Sequence, residues 1–373
     1  MLFSKTLIFC SFLVLFFSGL IFSKLVFSGL GDYIAHIDLS VMMEEGRIPT
    51  PANFLPYLII NISKNYFYKK LTLIALISIS TTLKFVVTYI YINHFLPKSS
   101  TFKKTILSIC MLFIFAIPNL KLITNHLYYV GNFTSNVWHN TTIIFLMPFA
   151  LLLYYSIFIK PQNVLVVTLL IIVNIIIKPS FIFILIPLLF LLQIFDVKEK
   201  KLKFNFYWRY FLYGGISIIL IFIQYLLLFE IKNSTDNKVV LDFFPFCKDY
   251  FDYLNIIVTI FCSYLFPLLL MIYFIINKIN FTKYQIHTFI FVFFALIINF
   301  SFVETGSRRF HGNFSWQIIP ASYLLMLFTT ISYIKNYKLI KPRYRIFLNF
   351  AFLLHCIYGL MYLLRILLYN KYE

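Results

Sequence analysis

Acidic side chains are scarce in this chain. It carries 13 Asp and Glu against 32 Lys and Arg in 373 residues, a formal net charge of +19. In a soluble protein that balance would point to nucleic acid. Here the basic residues fall in short loops between apolar runs. Membrane orientation and anionic headgroups account for them, and no nucleic-acid partner is expected. Cysteines are also few: Cys10, Cys110, Cys247, Cys262 and Cys356. Only Cys247 falls in a predicted outer loop and none has zinc-site spacing, so neither a disulfide framework nor a zinc site is expected. No internal repeat, low-complexity linker or soluble insertion interrupts the sequence. No small-residue cleavage site follows the first apolar run, which argues for a retained signal-anchor helix. The apolar fraction of 61% excludes a soluble globular domain. Heavy use of Phe, Ile, Tyr, Asn and Lys with few Ala and Gly suggests an AT-rich bacterial genome.

What the chain does have is a series of apolar runs, at residues 7–27, 71–95, 106–122, 142–159, 164–177, 181–195, 210–229, 254–276, 286–302, 317–334 and 346–368. With the N-terminal side taken as inside, the inner pieces hold 17 of the 32 basic residues and only two acids, Asp196 and Glu199. An excess of Lys and Arg marks cytoplasmic loops. The expectation is an all-α polytopic bundle of about eleven spans, N-terminus in and C-terminus out. It forms one integral domain over 1–373, in the cytoplasmic membrane of a bacterium. The longest polar stretches, near residues 28–70, 123–141 and 230–253, then all face outward, and the first should hold interfacial helices.

Residues 164–195 decide the parity. As one helix they would be about 48 Å long, well beyond the bilayer, and the later basic clusters would be placed outside. Two spans keep the charge rule but are each only about 21 to 23 Å. The turn at Lys178-Pro179 must then lie below the outer surface, packed in protein or lining a wet cavity. Lys178 is therefore a candidate cavity residue.

Three outer constellations could carry chemistry. In GDYIAHIDL, Asp32 and His36 are four apart and share a helix face, suited to a general base or to two ligands of a divalent cation such as Mg or Mn; Asp38 follows. The plainer role for Asp32 is to cap an interfacial helix. Glu44, Glu45 and Arg47 beyond it look like a solvated turn. In the stretch from Thr124 to Thr142, Asn125, His126, Trp138, His139 and Asn140 offer amide and aromatic groups for a hydroxyl-rich ligand. An aromatic interface belt with polar caps is the competing explanation. In ETGSRRFHGNFSW, Arg308 and Arg309 suit a phosphate or diphosphate, flanked by Glu304 and His311. Alternatively Glu304 pairs with one arginine and the other meets headgroups. Within the spans, Lys84 lies nearest mid-membrane, as a functional or interhelical partner.

An acidic residue soon after the first span, many apolar helices and a polar outer face resemble the GT-C superfamily of polytopic membrane glycosyltransferases. The resemblance implies a polyprenyl-phosphate or polyprenyl-diphosphate sugar donor and a glycan or lipid acceptor, with membrane lipids around the chain. It implies an acid in the first outer loop as base or metal ligand, a role falling on Asp32 and then Asp38. On chemical grounds Arg308, Arg309 and Lys178 would meet the phosphate. The alternatives are a polymerase or ligase of O-antigen or capsule type and, from another class, a lipid-linked polysaccharide flippase or transporter.

Overall fold

The computed structural model describes residues 4–48, 53–118, 133–198, 204–227, 238–243, 253–306 and 312–369. Fourteen α-helices fall within these residues. In chain order they are α1 (Lys5–Phe27), α2 (Tyr33–Glu44), α3 (Leu55–Ile60), α4 (Tyr66–Phe95), α5 (Thr101–Phe113), α6 (Thr141–Tyr154) and α7 (Val164–Ile177). There follow α8 (Ser180–Lys198), α9 (Phe204–Tyr225), α10 (Tyr253–Ser263), α11 (Leu265–Ile276), α12 (Lys283–Ser301), α13 (Ile318–Lys335) and α14 (Pro342–Tyr369). The all-α expectation holds. A single antiparallel pair, β1 (Val239–Leu241) with β2 (Phe302–Glu304), is the exception among the described residues.

Six helices are long and apolar enough to cross a membrane, and a seventh span arises if the bent pair α10–α11 is counted as one. Helices α1, α4, α6, α7 and α12 begin on side-chain caps. Ser4, Asn65, Asn140 and Asn163 accept from the free amides of the first turns of α1, α4, α6 and α7. Thr282 and Gln285 form a reciprocal capping box at α12. At the centre, α13 is buried on almost every side, whereas α1 presents Phe9, Phe12, Phe16 and Phe17 outward. That contrast is the one expected between a central and a lipid-facing helix.

Three apolar runs do not form continuous helices. The run 164–195 breaks at Lys178-Pro179 into α7 and α8, as its length required. The run 254–276 bends by 79° between Ser263 and Leu265. Within the run 106–122, helix α5 stops at Phe113 and residues 114–118 continue without helical bonding.

Irregular backbone inside a membrane protein must find partners in other side chains. At the end of α5, Asn136 Nδ2 donates to the carbonyls of Met111 and Ile114, at 3.1 and 2.6 Å. The Lys84 ammonium donates in turn to Asn136 Oδ1 and lies 4.3 Å from the centroid of the Tyr323 ring. A cation is also favoured near the negative end of a helix. From α14, His355 Nδ1 donates to the Phe115 carbonyl, and the Phe115 amide donates to the His355 carbonyl at 3.1 Å. Its Nε2 accepts from Phe266 at the α10–α11 bend. The void beside Lys84 is about 20 Å³, room for roughly one water. Lys84 is thus an interhelical staple.

Stretch 28–70 holds α2 and α3, locked onto the start of α4. Buried Lys69 donates to Glu44 Oε2 at 2.7 Å and to Asn61 Oδ1 at 2.5 Å, and Asn61 Nδ2 donates to the Ser40 carbonyl. Glu44 is therefore a docking residue, while Glu45 and Arg47 pair with each other at the exposed turn.

Candidate functional site

Asp32 is the hub on which three chain segments meet. Gly31 before it has φ +69°, a conformation that costs a side-chain-bearing residue energy, and a Cβ there would sit 2.9 Å from the His139 carbonyl oxygen. That close approach lets the Asp32 amide donate to the same carbonyl at 3.1 Å. One carboxylate oxygen, Oδ1, accepts from the Thr141 amide at 2.9 Å and the Thr141 hydroxyl at 3.0 Å. The other, Oδ2, faces His36 Nε2 at 3.2 Å, the one-turn spacing read from the sequence. His36 Nδ1 meets the Tyr57 hydroxyl of α3 at 2.9 Å. Burial pushes the Asp32 carboxyl up; His36 and the Thr141 amide outweigh it and hold the group below its ordinary value of 3.8.

Lys178 approaches the same helix start from the α7–α8 break. Its backbone is extended, as the following proline demands. Its Nζ donates to Thr142 Oγ1 at 3.1 Å and lies 4.7 Å from the centroid of the Trp316 ring. The Trp316 ring meets His139 edge to face, with centroids 6.4 Å apart, and His139 Nδ1 bonds the Tyr362 hydroxyl. Burial pushes the His139 imidazole below 6.5, against the pull of Asp32. Burial disfavours the Lys178 charge, and the Asp32 and Glu304 carboxylates only partly offset it.

Beyond Lys178 opens a cavity of about 440 Å³. Its apolar walls include Phe183 of α8, Ile221 and Tyr225 of α9, and Phe302 and Phe314. Lys178, Ser180, Glu304, Asn313 and Asn53 supply polar groups. Pairing of β1 with β2 sets Val239 opposite Glu304 in register and brings both into the wall. Glu304 is buried, and Asn313 Nδ2 donates to its Oε2 at 2.6 Å. The face of α9 flanking this wall exposes Ile218, Ile219, Phe222 and Ile223, as a lipid-facing surface would.

The structure thus brings together Asp32, His36, His139, Lys178 and Glu304. Asp38 is on another side of α2, where it accepts from the Tyr66 hydroxyl at 2.9 Å; six residues from Asp32, it cannot share its face. Trp138 is buried between Phe22 and Phe113, so it packs in the core and not in the cavity wall. Asn140 caps α6 through Ile143. Asn125, His126, Arg308, Arg309 and His311 lie outside the described residues. Reasoning from the sequence missed Thr141, Thr142, Tyr57 and Asn313, and did not separate Trp316 from the loop preceding it. Thr-Thr after an N-cap Asn was the only local signal for the first two.

Both ring nitrogens of His36 are engaged, and Asp32 Oδ1 already accepts twice. A divalent cation at this pair would have to displace one of those bonds. Among the described residues, no group of three or more His, Cys, Asp or Glu is arranged to hold a metal. Set against protein-family models, curated proteins and solved structures, the chain matches none.

Proposed function

We propose that this chain is an integral membrane glycosyltransferase. It moves a sugar from a polyprenyl-phosphate or polyprenyl-diphosphate donor to a glycan or lipid acceptor on the outer face of the bacterial cytoplasmic membrane. One observation carries the reading: an apolar-walled cavity next to a lipid-facing helix has a lysine at its polar end, with a carboxylate–imidazole pair just behind it. Lys178 neutralises the phosphate as the bond to the sugar breaks. The acceptor hydroxyl loses its proton to the Asp32–His36 pair and attacks the anomeric carbon. Trp316 holds the ammonium in place by its ring face. Arg308 and Arg309, two and three residues beyond Gly306 in sequence, add to the phosphate charge balance. The steps assigned to these residues call on no metal; Mg or Mn at Asp32–His36 is the variant form.

The same reading includes the eleven-span topology with the N-terminus inside. It places Lys160 in the cytoplasm and Asn53 outside, which thiol labelling of Lys160→Cys and Asn53→Cys in intact cells checks. The enzymatic test is mass spectrometry of cell-envelope glycan from cells carrying Asp32→Asn or Lys178→Met. Loss of one glycan product from both, with normal membrane insertion, is expected; unchanged product from both sinks the proposal.

A flippase for lipid-linked glycan is the second reading, favoured by the discontinuous backbone at 114–118 and the 79° bend. Packing weighs against it, since the void at that junction holds roughly one water. A flippase would leave the lipid-linked donor unconsumed in vitro, whereas a transferase splits it.

A further inference from the structure

At the far end of α6 from the Asp32–Lys178 site, the helix widens into a π-helical turn, Tyr155–Ile159, and the Lys160 amide donates to the Tyr155 carbonyl. The span Thr141–Ile159 puts this turn about 28 Å from that site. Widened turns of this kind recur at functional positions. This one sets Ser156 and Ile157 against Arg209 and Tyr213 of α9, with Pro161 beside them, around a pocket of about 10 Å³. That is room for one water-sized atom. Arg209 and Tyr213 are four apart and share a helix face, and the Arg209 charge acts on the Tyr213 hydroxyl. Tyr213 and Ser156 are only 3% and 7% exposed. Among the described residues, neither hydroxyl has a hydrogen-bond partner, and the half-buried Arg209 guanidinium has no hydrogen bond or ion pair.

Donors from three side chains that converge on one small pocket suit a tetrahedral oxyanion. A guanidinium grips two phosphate oxygens in its planar fork, and the hydroxyls donate to a third that enters the pocket. A carboxylate has only two oxygens, both facing the fork, so none is left for the pocket. The surroundings favour the same chemistry. Trp208 and Phe211 are exposed on α9, as at a membrane–water interface, and Lys160 is exposed at the end of the π-helical turn. In sequence Lys198, Lys200, Lys201 and Lys203 precede this helix, and such clusters draw anionic headgroups.

We propose that Arg209, Tyr213 and Ser156 bind a phosphate group at this end of the bundle. The same chemistry serves a phospholipid headgroup and free inorganic phosphate. A phosphate there bridges the ends of α6 and α9, a role independent of sugar transfer.

The test uses the full-length protein. Native mass spectrometry reads binding of phosphatidylglycerol and of the matching diacylglycerol, which lacks the phosphate, and calorimetry reads binding of inorganic phosphate. A headgroup source predicts phosphatidylglycerol bound at least about 10-fold tighter than diacylglycerol. A free source predicts that inorganic phosphate binds and that phosphatidylglycerol has no such advantage. For whichever source binds, Arg209→Met should weaken affinity roughly 10-fold to 100-fold, and Tyr213→Phe and Ser156→Ala about 2-fold to 10-fold each. Arg209→Lys keeps the charge but not the fork, and should recover little of the loss. Tyr213→Phe and Arg209→Lys preserve bulk, which guards against a folding defect. Wild-type affinity in both overturns the proposal, because general charge attraction would then suffice. It is equally overturned if the wild-type protein binds neither phosphate source. Neither result bears on the transferase reading.

Discussion

Asp32 and Lys178 hold consecutive threonines. Asp32 takes the amide and hydroxyl of Thr141, and Lys178 donates to the hydroxyl of Thr142, so the first turn of α6 separates a carboxylate from an ammonium. The arrangement gives Asp32 two roles that variants can pull apart. Asparagine keeps an oxygen for Thr141 but removes the negative charge beside His36; alanine removes both. Asp32→Asn should remain within about 0.5 kcal/mol of wild-type stability and lose product. Asp32→Ala should lose product and about 1–2 kcal/mol, the usual cost of an N-terminal cap. Thermal unfolding in detergent alongside the glycan assay separates them. Equal stability loss in both would assign Asp32 a purely structural role.

Backbone approach at two glycines sets a second expectation. Gly31 has positive φ and touches the His139 carbonyl, while a Cβ on Gly359 would overlap the Phe113 carbonyl oxygen where α14 crosses the end of α5. Gly31→Ala should cost about 1–3 kcal/mol through strain at a special backbone conformation. Gly359→Ala should do more damage, because backbone and not a mobile side chain stands in the way. Yield of monodisperse protein and its unfolding temperature report both, and a Gly359→Ala protein as stable as wild type would contradict the α5–α14 crossing.

The Lys84–Asn136 staple predicts an order of severity. Lys84→Met leaves one amide oxygen without its donor and should cost about 1–3 kcal/mol. Asn136→Ala strands the Lys84 ammonium and the two carbonyls at the end of α5, and should cost roughly 3–5 kcal/mol. Denaturation of the two variants in the same detergent compares them directly; the reverse order would mean that Lys84 is held by something other than Asn136.

Acid should weaken the fold through His139. Its folded pKa lies below the unfolded 6.5, so the unfolded chain binds more protons once pH drops under that value. Stability is then fully present above about pH 6.5 and declines toward the lower folded value. Asp32 has the same sign further down: its contribution is present above 3.8 and is lost only as pH falls through its lower folded value. Unfolding temperature measured from pH 4.5 to 7.5 should fall on acidification, and the slope should be shallower in His139→Gln. An acid limb of activity between pH 5 and 7 would accordingly not belong to Asp32.

Some of this site was legible in the chain and some was not, for identifiable reasons. The Asp32–His36 pair follows from helix periodicity, and the break at Lys178-Pro179 from the length of a bilayer, so local rules were sufficient. Asp38 is close to Asp32 in sequence, but six helical positions turn it to another face, where it meets Tyr66. Trp138 carried a polar handle and polar neighbours, yet the apolar body found Phe22 and Phe113; only packing from α1 and α5 reveals that. The end of α5 and the bend before Leu265 lie inside uniformly apolar runs, and uniform hydropathy hides where a helix stops. Glu304 reached the cavity through a strand pairing across more than sixty residues, which no local pattern encodes.

The bonds between Phe115 and His355 reach across 240 positions. During synthesis the segment after α5 therefore enters the bilayer long before its backbone partner exists. Until α14 arrives, the Phe115 amide and carbonyl have no such partner, and hydrocarbon provides no substitute. The early helices must wait, held by the translocation machinery or by water, for the last one to close the bundle. A nascent chain released before residue 355 should consequently be a target for membrane proteolysis, however well its first spans have inserted.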